Sequence, residues 1–254
     1  MTSGVKPQEF LRRTLWISDN EGMNAIANKT LFAALTLIGF WAPPISAATP
    51  SVLAVIDPVP KAEFESVRKS QIQQQLRACS GCQILNLTPY DSAGNFDPSG
   101  LSRQLNNVPR ENAVVVVLWN KRFEPNADKG VVEQIKGLAS QGVLFVATAG
   151  KPEPRGATLG LRRTLWGQTP QVVIIGELTE RERLLPGTFF GPEMLTAIRP
   201  PSEVMGQDVA ALMFSARLVS QLKEKKSTEW VDFLRNKKAT SKRMWPSIDE
   251  FFGR

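Results

Sequence analysis

The chain predicts a doubly wound α/β domain, a mostly parallel sheet with helices on both faces. Three observations carry that expectation: short apolar runs too continuous for half-exposed strands, helical stretches between consecutive runs, and glycine or proline where one gives way to the next. The strands are Val52–Ile56 (VLAVI), Gln83–Leu87 (QILNL), Ala113–Trp119 (AVVVVLW), Val143–Thr148 (VLFVAT) and Gln171–Ile175 (QVVII). Between them Ala62–Ala78, Pro98–Asn106 and Lys129–Gln141 read as helices, the third stopped by Gly142. A loop punctuated by Pro186-Gly187, Gly191-Pro192 and Pro200-Pro201 follows the fifth strand. Ser202 then offers a cap for a long helix through Leu222, whose Met205, Val209, Leu212, Met213, Ala216 and Val219 share one face. A last helix over Thr228–Arg235 packs through Trp230, Val231 and Leu234.

Composition bounds the chemistry. With 42% hydrophobic and 22% charged residues over 254 positions the chain is globular and long enough for a sizeable core. It contains no histidine. Ser-His-Asp and Cys-His catalysis, and most catalytic zinc sites, are therefore excluded. No cofactor is expected, because Gly150–Gly160 lacks the spacing and following helix that cradle phosphate.

Domain organisation divides into three parts: residues 1–47, an N-terminal extension and signal peptide; 48–236, the α/β domain; and 237–254, a basic C-terminal tail. Leu31–Trp41 (LFAALTLIGFW) follows Lys29, is too short to span a bilayer comfortably, and runs into small residues at Ala47 and Ala48. That pattern predicts export to the periplasm or beyond, with Met23 as an alternative start and anchoring by residues 31–47 as the alternative fate. Four basic and three acidic side chains precede residue 48, so the net charge of +7 falls by only one on their removal. From Lys223 to Arg254 there are nine basic and five acidic residues. In an exported chain this excess predicts a solvated surface or contact with anionic lipid, not nucleic acid. Membrane contact is otherwise confined to an uncleaved signal segment.

The order of Val52–Asp57 (VLAVID), Ala113–Trp119, Gln141–Gly150 (QGVLFVATAG), Thr188–Pro201 (TFFGPEMLTAIRPP) and Val204–Met213 (VMGQDVAALM) resembles the subtilisin-like serine protease family over roughly residues 51–236. The resemblance implies a catalytic Asp at Asp57, at the C-terminal end of the first strand, where open parallel sheets place their sites. It also implies degeneracy. The family's His falls in the part occupied by Arg68–Gln75; Glu203, or Ser202 after a one-residue slide, takes the nucleophile's place; and Lys151 replaces the oxyanion Asn after Ala149-Gly150. A serine without a base is a poor nucleophile, and a lysine is not the neutral amide donor of that site.

The remnant positions Asp57, Lys151 and Glu203 are then expected to share a cleft with Asp208, Lys151 neutralising one or two carboxylates. The implied function is an exported pseudoprotease that binds an unknown protein or peptide along the family groove. One alternative is a hydrolase that uses Asp57 and Glu203 as an acid and base pair. Another is a structural subunit of a cell-envelope assembly.

Two further features stand outside this scheme. Cys79 and Cys82 follow a helix and precede a strand, which predicts a local disulfide at a structural turn, not a redox centre opening a helix. The hexapeptide LRRTLW occurs twice, at Leu11–Trp16 and at Leu161–Trp166; the second copy, with Arg155, Arg162 and Arg163, reads as an ordinary solvated basic loop, with contact to an acidic partner as the alternative.

Overall fold

A computed structural model describes residues 50–150, 160–201, 207–222 and 227–253. These fall within one compact unit, Ala48–Arg254. The expected signal segment, Ser202, Glu203, Lys151 and Arg155 all lie outside the described residues.

Six parallel strands form one sheet: β1 (Val52–Ile56), β2 (Gln83–Asn86), β3 (Ala113–Val117), β4 (Leu144–Thr148), β5 (Val172–Glu177) and β6 (Met194–Ile198), in the order β2-β1-β3-β4-β5-β6. Each of the five expected strands is present. The sixth is a correction, since Met194–Ile198 was expected to be loop. β6 pairs in parallel with β5 across an irregularity at Ile174/Ile175 and is buried along its whole length.

Alternation along each strand sends side chains to two cores. Leu53, Val55, Val114, Val116 and Val146 pack on one face against the long helix, while Ala54, Ile56, Val115, Val117 and Phe145 pack on the other. Burial on both faces is why these strands read as unbroken apolar runs.

The first crossover opens with α1 (Lys61–Glu63), passes through a π-helical turn (Phe64–Arg68) into α2 (Lys69–Gln75) and ends in a 3₁₀ turn, Leu76–Ala78. Cys79 and Cys82 form a disulfide, Cα atoms 5.5 Å apart, around Gly81, whose φ of 79° suits glycine. The following helices are α3 (Leu101–Leu105) and α4 (Pro125–Ser140), the latter starting four residues earlier than its periodicity predicts because Pro125 fills its first turn.

α5 (Gln207–Gln221) is buried on more than the expected stripe. Ala210, Ala211, Phe214 and Leu218 are fully enclosed along with Val219, because the helix lies between the sheet and the C-terminal segment. α6 (Ser227–Thr240) runs five residues past its expected end, and α7 (Ile248–Phe252) was not foreseen. Residues 237–253 are accordingly not a basic tail. Phe251 is 2% exposed and stacks edge-on against Phe214, and the Thr196 hydroxyl of β6 donates to the Pro246 carbonyl at 2.7 Å. Among the described residues no helix is long and apolar enough to cross a membrane.

Candidate functional site

The C-terminal ends of β1, β3, β4 and β5 carry several of the buried polar groups of the fold, Asp57, Asn120, Thr148 and Glu177 among them. Asp57 follows β1 directly and is 1% exposed; its backbone N–H donates to the Thr88 hydroxyl at 2.8 Å, and Thr88 N–H in turn donates to Asn86 Oδ1 at 2.9 Å. These bonds pin the carboxylate where the strand ends. Glu177, the last residue of β5, is a second carboxylate buried at this end of the sheet.

The cation comes from the first crossover. Phe64, Arg68, Ile72 and Leu76 follow each other at four-residue steps, and all four are buried. Such a row drifts by about 40° per step on an α-helix, and the wider π turn takes up part of that drift, keeping Arg68 on the inner face. Its Nε donates to Asp57 Oδ2 at 2.8 Å, one terminal nitrogen donates to Asp208 Oδ2 in the first turn of α5, and the other reaches Gln71 Oε1 at 3.4 Å. One guanidinium fork thus bridges two carboxylates on different elements, a geometry a lysine could not reproduce.

Electrostatically the cluster is unbalanced. Burial pushes the Asp57 carboxyl above its ordinary value of 3.8; the charge and hydrogen bond of Arg68 pull it back only in part, and Glu63 adds to the rise. Among the described residues Asp57 Oδ1 has no hydrogen-bond partner.

The neighbouring loop is fixed separately. Asn120 Nδ2 donates to the Ala149 carbonyl at 2.8 Å, tying the end of β3 to the end of β4. Gly150 lies against it with φ of 71°, and a Cβ there would come within 2.6 Å of Asn120 Cβ, so only glycine fits.

Of the expected constellation the structure brings Asp57 and Asp208 together, through Arg68. Lys151 and Glu203 lie outside the described residues; among the described residues the cation on both carboxylates is Arg68. The signal was present in the sequence: Arg68 is the one charged residue, at the second position, of an otherwise apolar four-step row that faces the core, and a buried cation needs a carboxylate. Among the described residues no cluster of three or more potential ligands could hold a metal ion.

No protein-family profile matches the sequence, and no curated protein matches it. Its architecture is nevertheless shared with solved structures. A cold-adapted subtilisin-like serine proteinase superposes with a TM-score of 0.55 at 13% identity, over 74% of this chain and 81% of that one. The fold is subtilisin-like. The prenylagaramide maturation protease PagA also aligns, with a TM-score of 0.49 at 15% identity over 72% of this chain and 82% of that one. At these identities the likeness concerns the subtilisin-like backbone, on which Asp57 ends the first strand and Asp208 opens the long helix.

Proposed function

We propose that this subtilisin-like domain is exported and binds a protein or peptide without Ser-His-Asp catalysis. One observation carries the reading: Asp57, the carboxylate matching the family's catalytic Asp, gives its Oδ2 to Arg68, and that arginine comes from the segment where the family's His would stand. An arginine stays protonated throughout the working pH range, so it can neither take a proton from a hydroxyl nor be oriented as a base. The chain has no histidine to serve instead. The same bond weakens the alternative of a carboxylate pair. A carboxyl that is 1% exposed and held by a guanidinium is closed to substrate, even though burial has raised its pKa in the direction that suits an acid.

The test is a diverse peptide library offered to the full chain and to its Asp57→Asn variant from acidic to neutral pH, with cleavage read by mass spectrometry and retention on immobilised protein read in parallel. The expected outcome is retention of a defined set of peptides with no new termini from either form. Cleavage by the wild-type chain that disappears in Asp57→Asn would make the domain a hydrolase and overturn the proposal.

A further inference from the structure

Away from Asp57 a cavity of about 570 Å³ opens at the N-terminal ends of β5 and β6. That volume falls in the range of small-molecule sites. Three cations line it: Arg162, from the second copy of the repeated hexapeptide, and Arg235 and Lys238, one turn apart on α6. Among the described lining residues Glu193 is the one carboxylate, and its Oε1 already accepts from Arg162 Nε at 2.6 Å.

Arg235 and Lys238 are held in place by the backbone, Arg235 donating to the Pro170 carbonyl and Lys238 to that of Met194. Each anchoring bond uses one N–H and leaves others. A guanidinium and an ammonium positioned by neutral carbonyls keep their full charge, so the cavity carries more positive than negative groups. Burial lowers the pKa of Lys238, and Glu193 offsets that only in part.

We propose that this cavity binds a small organic anion, its carboxylate or phosphate headgroup held by Lys238, Arg235 and Arg162 and its apolar body lying along Pro170 and Pro192. Charge-assisted hydrogen bonds from a fork and an ammonium suit either headgroup. The apolar wall beside them distinguishes this from a site for a bare inorganic ion. An anion seated beside Lys238 favours its charged form and so offsets the burial that disfavours it.

Calorimetric titration of the full chain with phenyl phosphate and with benzoate tests the proposal, with inorganic phosphate as the probe that lacks an apolar body. Saturable one-to-one binding of phenyl phosphate or benzoate, tighter than that of inorganic phosphate, is expected; whichever binds tighter identifies the headgroup. Losing one charge-assisted donor should weaken it about tenfold or more in Lys238→Met and in Arg235→Gln. Lys69→Gln removes the same charge from a distant helix and should leave affinity unchanged. Arg235 reaches the fold through a single exposed bond, so Arg235→Gln reports even if Lys238→Met unfolds. No saturable heat with either aromatic probe, affinity for inorganic phosphate as high as for the aromatic probes, or equal affinities in wild type and Arg235→Gln, overturns the proposal.

Discussion

At the C-terminal end of the sheet Arg68 is 9% exposed and shared between two carboxylates, whereas at the N-terminal ends of β5 and β6 three cations line an open cavity around one carboxylate. The same residue types therefore make two different objects. In the first cluster carboxylates outnumber the cation and Asp57 is shut away from solvent; burial raises its pKa, and one of its oxygens has no hydrogen-bond partner among the described residues. In the second, cations are in excess and remain reachable. A closed cluster of this kind fixes elements relative to one another, here β1, the first crossover and α5. An open one is free to take a ligand.

Breaking the closed cluster should have the largest effect. Arg68→Met leaves Asp57 buried without a counter-charge and should cost about 3–5 kcal/mol in urea unfolding, the usual consequence of removing one partner of a buried pair. Pairing it with Asp57→Leu should recover most of the loss, because apolar replacement of a whole buried pair is close to neutral and Asp208, with its side chain 29% exposed, stays solvated. If the double variant is as unstable as the single one, the cluster holds the fold through geometry that leucine and methionine cannot replace.

The elements that meet at this cluster differ in how openly the amino-acid sequence declares them. Strands β1, β3, β4 and β5 were legible as largely continuous apolar runs between turn residues, and β2 from Ile84, Leu85 and Leu87. β6 was not, since Met194–Ile198 contains Thr196 and sits between Pro192 and Pro200; its identity as a strand comes from pairing with β5 and from the C-terminal segment that covers it. Asp57 was legible from its place after a buried strand. Arg68 was harder, because a cation beside Lys69 on a polar-rich helix looks exposed until the four-step row from Phe64 to Leu76 is counted.

The repeated hexapeptide teaches a related lesson. In the second copy Leu161, Thr164, Leu165 and Trp166 are buried while Arg162 and Arg163 face out, and the turn can close because Gly167 lacks the Cβ that would strike the Leu161 carbonyl. In the sequence Ile17 follows the first copy where Gly167 follows the second.

A smaller effect should appear in the pH dependence of stability. The folded Asp57 carboxyl titrates above its ordinary value of 3.8, so the native state holds its proton more tightly than the unfolded chain. Its contribution is complete below the unfolded pKa and is lost as pH rises through the folded one. Asp57→Asn removes that loss. Unfolding free energies measured across the acidic range should therefore fall less steeply with rising pH in the variant than in wild type. A wild-type curve that rises more steeply than the variant's would mean that Arg68, and not burial, governs the carboxyl.

The smallest change is expected at the open end. Arg162 pairs with Glu193 at 2.6 Å, yet its side chain is 79% exposed, and pairs of that kind contribute about 0–1 kcal/mol. Arg162→Gln should accordingly shift the urea midpoint by very little. It should also act on Lys238, because Glu193, relieved of its guanidinium, is left to face the ammonium that it already favours. The variant should then bind phenyl phosphate or benzoate more weakly than wild type for two reasons, a lost donor and a carboxylate now unshared within the cavity. A large loss of stability in Arg162→Gln would contradict the contrast between the two ends, since it would show that the exposed cluster supports the fold as the buried one does.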